Sequence, residues 1–515
     1  MTTGETTVSV DSDRFNWKTY AGIALVSAVY FTDVSLRASR KCFWFDELFT
    51  TYLCRLHDFK STWTAVLHGA DFNPPLLYLF TRCAQWFFGE GLIATRLPSM
   101  IGVWLFGLCL FLFVSRRAGV VSGFIAGALP FFTLAQYYAY EARAHGILLG
   151  WCGLTLVCWQ RRSDGRANRL WLAGFALCLV GALLTHVYAV YILFPFGLIE
   201  LYSLLRMRRP DWGIVTALIL AFISVTAAVY LPLFRVYRTN VPVTFFAASH
   251  DVFQHFLVVV IGPALGVLMI LLGLLAFEGL RRPPQEPTQV TIPKREMLLA
   301  VAFACVPFVG MLGSKVSHGP FIERYFLSSV AGYAILLGFA SSRRLAASWV
   351  AKVLAACMFM LMIGDLGTTV YLAMVNRIML MEPSAAFALS TNPANPMERY
   401  ELVAADHSGM DILVLRQVKY LYLFKYAPAA VVPRLFFGAP GKDLFLGIYE
   451  RLAQGAQINL KSTRFAPFLA THDRFLVYGN ADPEDAVAIQ ALASAGYKLK
   501  SARMDTSGVL YEYEK

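Results

Sequence analysis

The feature that most constrains this chain is a series of apolar runs long enough to cross a bilayer, which takes about 17–25 residues of helix. Eleven such runs can be counted, near 19–37, 96–114, 119–136, 146–160, 170–184, 187–205, 213–234, 254–279, 297–313, 324–341 and 349–373. The chain is 57% hydrophobic and 15% charged, whereas a soluble domain is about 45–50% apolar and about 25% charged. The sequence therefore predicts a polytopic α-helical membrane protein with about 11 transmembrane helices.

The charge pattern predicts the topology. The net charge of +12 would suggest nucleic-acid binding in a soluble protein. Here most Lys and Arg lie in short loops between apolar runs, where they set orientation and meet anionic head groups. Membrane lipids are therefore expected partners, and nucleic acid is not. The basic side should be cytoplasmic, with the N-terminal tail 1–18. The loops opposite carry few basic residues, namely Arg143, Arg235, Arg238, Lys315 and Arg324.

The predicted topology also settles how 38–94 is arranged. If 73–88 crossed the membrane, the paired acids and the later basic loops could not keep consistent sides, so 38–94 is predicted to be one outer loop of the membrane domain 19–375. Its amphipathic pieces, near 47–58 and 75–88, would lie along the membrane surface.

The C-terminal part changes character. Within 380–515, short apolar strands such as 402–404 and 475–478 alternate with helical stretches such as 485–495. This alternation predicts a small α/β domain. Eleven spans and an inner N-terminus would put that domain outside the cytoplasm.

Two adjacent carboxylates, Asp46 and Glu47, follow the first apolar run. Charge near hydrocarbon is costly, which favours a functional role. Acidic residues also favour the first turn of a helix, so a plain surface helix explains the pair equally well from its spacing alone.

Polar residues at the predicted outer ends of the spans gather in five places, at 46–47, 71–75, 137–145, 185–188 and 315–325. Arg and Lys can hold a phosphate, aromatic rings can stack on a sugar, and a carboxylate can take a proton from a hydroxyl. Together these groups suit a lipid-linked phosphosugar.

The order of these motifs resembles a known family. It comprises Asp46-Glu47, Pro74-Pro75-Leu76, Arg96-Leu97-Pro98-Ser99, Glu141-Ala142-Arg143 and Glu323-Arg324-Tyr325. The chain looks like the GT-C fold glycosyltransferases of the protein O-mannosyltransferase and aminoarabinose transferase superfamily. The resemblance covers roughly 19–375, and the C-terminal domain is similar to that of bacterial members.

The resemblance implies an inverting transfer at the outer face of a bacterial inner membrane. The sugar would pass from a polyprenyl-phosphate-linked donor to a hydroxyl of a glycan, lipid A or protein. Asp46 matches the general base, and Glu47 matches a partner that positions the acceptor or a metal. Arg324 matches the donor-phosphate ligand, with Lys315, Arg143, Arg235 and Arg238 as further candidates.

Other residues are expected near the acceptor, the sugar or a metal, namely Asn73, His145, His186, Tyr138, Trp44 and His318. Two of them depart from the family pattern. Asn73 stands where some members have His or Glu, and His145 stands where others have Tyr or Asp. A divalent metal is left open because no ligand spacing here is diagnostic. No other cofactor is expected.

Two other functions stay open. A transporter or flippase of lipid-linked sugars would also need outer basic groups, together with broken helices near the midplane and an inverted repeat. A non-catalytic membrane scaffold would need neither carboxylate. The sequence specifies neither the sugar nor the acceptor.

Overall fold

The computed structural model describes residues 15–164, 169–240, 260, 262–270, 273–274, 292–317, 321–343, 349–374, 401–438, 461, 465–479, 483–505 and 508–515. The chain forms two compact units. The first unit comprises Met1–Arg40, Arg96–Val225 and Phe246–Leu380. The second comprises Lys41–Thr95, Thr226–Phe245 and Met381–Lys515.

Helices dominate the described residues. They are α1 (Trp17–Arg40), α2 (Phe45–Cys54), α3 (Phe59–Leu67), α4 (Leu76–Phe88), α5 (Leu92–Ala118), α6 (Val120–Ala128), α7 (Leu134–Ala139), α8 (Ala144–Ser163), α9 (Arg169–Leu183), α10 (Val190–Tyr202), α11 (Trp212–Val225), α12 (Leu231–Asn240), α13 (Lys294–Ala304), α14 (Val306–Ser317), α15 (Val330–Arg343), α16 (Trp349–Met374), α17 (Glu401–Ala404), α18 (Gln417–Tyr426), α19 (Phe465–Thr471) and α20 (Pro483–Ser494).

Six helical stretches of the described chain are long and apolar enough to cross a membrane, namely Trp17–Arg40, Leu92–Ala118, Val187–Arg206, Trp212–Arg235, Glu323–Ser342 and Trp349–Met374. The pair Lys294–Ala304 and Val306–Val316, bent by 46°, makes a seventh if it is one span. The predicted run 254–279 lies largely outside the described residues. The chain is therefore a membrane protein with several spans, and the number eleven stays a prediction.

Helices α5 and α8 cross with their backbones close together. A Cβ atom on Gly102 would lie 2.2 Å from the carbonyl oxygen of Gly146, and one on Gly146 would lie 2.7 Å from that of Ser99. Small residues allow such backbone approach between membrane helices. The Ser99 hydroxyl donates to the carbonyl of Arg143, at 2.8 Å. This crossing thereby fixes the chain where it enters α8.

Polar groups of the first unit lie at both ends of α8. This helix has 20 residues, so its ends are about 30 Å apart, the thickness of a hydrocarbon core. Near its last turn Arg116 pairs with Asp164 at 2.6 Å, and Arg162 pairs with Asp211 at 2.8 Å. Basic residues predicted for the cytoplasmic loops thus bind acidic neighbours in this unit.

A second polar network joins α1 to α16. The guanidinium of Arg37 donates to Asp33 at 2.9 Å and to Asp365 at 2.8 Å. Asp33 also accepts from the Thr369 hydroxyl at 2.6 Å and from the Gln136 amide at 2.9 Å. Asp33 is buried and needs such partners because an uncompensated buried charge is strongly destabilising. Together with the partly exposed Asp365, it links α1 to α16.

The second unit carries a mixed sheet in its C-terminal part. The strands are β1 (Ile412–Val414), β2 (Leu435–Phe437), β3 (Arg474–Gly479), β4 (Lys498–Asp505) and β5 (Gly508–Glu514), in the order β2-β1-β3-β5-β4. Strand β1 is parallel to β2 and β3, and β5 is antiparallel to β3 and β4. Leu413, Phe475 and Val477 of this sheet are buried beside Leu492 of α20. The predicted C-terminal α/β domain is confirmed.

One detail of that prediction is wrong. Residues 402–404 form part of helix α17, not a strand. Leu402 and Val403 are both buried, and a run of three apolar residues satisfies a buried helix turn as well as a strand.

Filling the α5–α8 crossing should destabilise the first unit. We expect Gly102→Ala to lower the free energy of unfolding by roughly 1–3 kcal/mol, because the added methyl group overpacks a backbone contact. Thermal unfolding in detergent measures the change. Gly197→Ala on α10 is the matched control, since its Cβ would meet nothing within 4 Å. Equal unfolding temperatures for the two variants would contradict the close crossing.

Candidate functional site

The paired carboxylates of the second unit begin helix α2. Glu47 is fully buried, and one of its carboxylate oxygens accepts from the backbone N–H of Trp44 at 3.3 Å. This bond satisfies an N–H that the first helical turn leaves without a partner. Asp46 lies in the same turn and is partly exposed. The two acids therefore differ, because Glu47 faces its own backbone and Asp46 can reach solvent or a ligand.

The far end of α2 is held by α4. Arg82 donates to the carbonyl oxygens of Cys54 at 3.1 Å, Leu56 at 2.5 Å and His57 at 3.3 Å. The last carbonyls of a helix lack partners within it and favour a cation. Helix α2 is thus fixed at both ends.

Asn73 holds a third acid of this unit. Its amide donates to both oxygens of Asp71, at 3.2 and 3.1 Å, and the Tyr78 hydroxyl donates to one of them at 2.8 Å. The backbone N–H of Phe72 donates to the same carboxylate at 2.7 Å. Asn73 therefore acts as a hydrogen-bond donor that orients Asp71.

The first unit contains a buried group of aromatic rings around two histidines. The ring of His145 lies 5.0 Å from that of His186 and 4.7 Å from that of Tyr138, measured between centroids. Tyr325 stacks on Tyr188 at 4.0 Å and lies 5.3 Å from His186. Motifs separated by about 180 residues in the sequence therefore form one cluster, which we call the histidine–tyrosine cluster.

Both histidines are almost fully buried, at 4% exposed for His145 and 7% for His186. Nδ1 of His186 accepts from the backbone N–H of Tyr188 at 3.1 Å, which puts the proton of the neutral ring on Nε2. Burial, with Arg143 and Arg324 nearby, lowers the pKa of His186 to about 3. Nδ1 of His145 is buried and has no hydrogen-bond partner within the described part of the chain.

Two of the predicted phosphate ligands lie near the histidine–tyrosine cluster. Arg143 and Arg324 both act on the histidine–tyrosine cluster, and the guanidinium carbon of Arg324 lies 5.6 Å from the centre of the Tyr325 ring. Lys315 is exposed on α14 of the first unit, whereas Arg235 is exposed on α12 of the second. The side chain of Arg238 and all of His318 lie outside the described residues. Trp44 is half-buried at the start of α2.

A divalent metal would need several carboxylate, imidazole or thiolate ligands close together. In the described ranges, no three His, Cys, Asp or Glu side chains gather as a metal site. An oxygen of Glu47 and both oxygens of Asp71 already accept hydrogen bonds. Hydrogen-bonded carboxylates can still bind a metal, so a divalent metal stays a prediction, and no catalytic step is assigned to one.

Sequence reasoning missed two members of the cluster as site residues, Tyr188 and Tyr325. The sequence could have indicated both, since Tyr188 lies two residues after His186 and Tyr325 directly follows Arg324, and both of these are predicted site residues. Asp71 was also missed as the partner of Asn73. The sequence indicates this pairing less clearly, because only the folded turn brings the Asp71 carboxylate to the Asn73 amide.

The sequence matches no family model and no curated protein. Solved structures do match. The crystal structure of ArnT from Cupriavidus metallidurans bound to undecaprenyl phosphate has a TM-score of 0.58 at 15% identity, covering 96% of this chain and 98% of that one. The apo structure of the same ArnT gives the same values.

At such low identity the likeness concerns the fold alone. The chain has the fold of ArnT, and the predicted GT-C fold is confirmed. The oligosaccharyltransferase of Archaeoglobus fulgidus in its apo form has a TM-score of 0.42 at 13% identity, covering 90% of this chain and 70% of that one. A score this low says nothing further about this chain.

The buried neutral histidine predicts an acid-sensitive fold. The pKa of His186 is about 3 in the folded chain and about 6.5 when unfolded. Between these pH values the unfolded chain binds more protons than the folded chain. The contribution of neutral His186 to the free energy of unfolding is therefore fully present above pH 6.5 and falls as the pH drops.

Thermal unfolding from pH 7 to 5 measures this loss. His186→Gln keeps an acceptor for the Tyr188 N–H. Between pH 7 and pH 5 its free energy of unfolding should fall by up to about 2 kcal/mol less than that of the parent. His407→Gln is the control, because His407 is exposed. The same pH slope in parent and His186→Gln would contradict the neutral buried state.

Proposed function

We propose that this protein is an inverting glycosyltransferase that moves a sugar from a polyprenyl-phosphate-linked donor to a hydroxyl acceptor. The observation that carries the proposal is the histidine–tyrosine cluster with Arg143 and Arg324, in a chain with the fold of ArnT. The ArnT structure with this fold holds undecaprenyl phosphate, a polyprenyl phosphate. The acceptor is a glycan, lipid A or a protein, and the reaction runs on the extracytoplasmic face of a bacterial inner membrane.

The first unit supplies the chemistry for a phosphate. Two guanidiniums near the neutral imidazole of His186 give positive charge and N–H donors. Arg binds phosphate oxygens bidentately. Arg324 is the main ligand of the donor phosphate, and Arg143 assists it. Lys315, Arg235 and Arg238 remain weaker candidates.

The aromatic members of the cluster supply a surface for the sugar. Tyr188 and Tyr325 present stacked rings, and a ring face suits the apolar face of a sugar. Nδ1 of His145 has no protein partner within the described residues, so it is the group we assign to a sugar hydroxyl. Tyr138 packs against His145 and fixes its ring.

The second unit supplies the base. Asp46 is the acid of the pair that is partly exposed, so it takes the proton from the acceptor hydroxyl. The acceptor oxygen then forms a bond to the anomeric carbon as the bond from that carbon to the phosphate oxygen breaks. The bonding electron pair leaves with the polyprenyl phosphate, whose added negative charge Arg324 stabilises. Glu47 keeps the first turn of α2 in place.

The base assignment predicts a large loss of activity in Asp46→Asn. We expect release of polyprenyl phosphate from lipid-linked sugars of a bacterial membrane extract to fall about 10²- to 10⁴-fold, the usual contribution of a general base. Glu90→Gln is the control in the same loop, because Glu90 is exposed and pairs with Arg55. Full activity of Asp46→Asn would favour a flippase or scaffold, neither of which needs this base.

The phosphate assignment predicts that Arg324→Ala lowers kcat/KM for the lipid-linked donor by about 10²- to 10³-fold. Arg324→Lys should recover part of this loss, since lysine keeps the charge but not the bidentate geometry. Exposed Arg169 on α9 provides the control Arg169→Ala. Unchanged donor dependence in Arg324→Ala would remove this residue from the site. Mass spectrometry of glycans and lipids in a deletion strain would identify sugar and acceptor together.

A further inference from the structure

The C-terminal α/β domain holds the segment that leads into the paired acids. The backbone N–H of Phe43 donates to the hydroxyl of Tyr426 at 2.8 Å. Both residues belong to the second unit. Phe43 is 1% exposed, and it stands three residues before Asp46. A side chain at the end of α18 thus fixes the backbone immediately before helix α2.

A second tyrosine of α18 faces the same segment. Tyr422 lies one helical turn before Tyr426, with ring centroids 4.8 Å apart. The Tyr422 hydroxyl lies 3.9 Å from the sulfur of Cys42. Further along α2, Tyr52 meets Phe424 at 6.1 Å between centroids. Helix α18 therefore contacts both the entry to α2 and its body.

Helix α18 is itself held by the sheet. It follows strand β1, which lies between β2 and β3, and Tyr420 packs on Phe437 of β2 with ring centroids 5.6 Å apart. Lys419, 2% exposed, donates to the carbonyl of Gly479 at the end of β3, at 3.4 Å. Arg416 pairs with buried Asp485 of α20 at 3.3 Å. The hydroxyl of Tyr426 is thus carried by a helix that three strands and a further helix fix in place.

We infer that Tyr426 is a positioning residue for Asp46, and that the C-terminal domain serves catalysis by setting the entry to α2. This inference rests on the proposed role of Asp46. The N–H of Phe43 precedes the helix, so its bond to Tyr426 selects the direction in which the first turn starts. A displacement of about 1 Å in a catalytic group can reduce a rate about 10²-fold. Groups that hold a catalytic side chain matter for this reason.

Tyr426→Phe tests the inference because it removes one oxygen atom. We expect kcat for polyprenyl phosphate release to fall about tenfold, with the donor KM unchanged, since only the base is displaced. Hydrogen exchange of the backbone amides in 42–54 should speed up in this variant. Tyr497→Phe is the matched control in the same domain, because the Tyr497 hydroxyl donates to Leu469 and His472 carbonyls at 2.6 and 2.8 Å.

A double variant separates this inference from the proposed function. If Tyr426 acts through Asp46, adding Tyr426→Phe to Asp46→Asn should cause no further loss. Parental kcat in Tyr426→Phe, an equal loss in Tyr497→Phe, or a further tenfold loss in the double variant would each overturn the positioning role while leaving the base intact. Full activity of Asp46→Asn alone would overturn the proposed function, and unchanged exchange in 42–54 would show that Tyr426 does not hold the segment.

Discussion

The first unit depends on a contact between two backbones. At the crossing of α5 and α8, neither Gly102 nor Gly146 has room for a Cβ atom. Lipid chains are as apolar as leucine, so membrane helices gain little from burying large side chains and more from close packing. The hydroxyl of Ser99 then ties α5 to the carbonyl of Arg143. The position of His145, two residues after Arg143, follows from this crossing.

Polar groups in this protein are buried in two different ways. Asp33 and Arg37 satisfy each other as an ion pair, so they are complete without a ligand. His186 is instead kept neutral by its burial and by Arg143 and Arg324 nearby. The ion pair joins helices, whereas the histidine–tyrosine cluster is the group proposed to bind a phosphate, although both lie near ends of the apolar helices. Distance from the membrane edge alone would not have separated them.

The sequence predicted the apolar helices and the class of the C-terminal domain because both follow from local periodicity. It also singled out His145 and His186, since polar residues between apolar runs are conspicuous, and the structure places their rings 5.0 Å apart. It could not predict that 402–404 are helical, because a run of three apolar residues shows neither the helical nor the strand periodicity. Tyr426 could not be found either, since nothing near it in the sequence indicates a partner in the first loop. Such pairings depend on tertiary contacts, which a single sequence does not reveal.

The bond between Phe43 and Tyr426 joins residues 383 positions apart. At a synthesis rate of about 5–20 residues per second, the first loop emerges about 20–80 s before its partner exists. During translation the acidic helix therefore lacks the anchor that the finished chain provides. A truncated chain that stopped before α18 would keep the apolar helices and both acids, yet its first loop would lack that anchor.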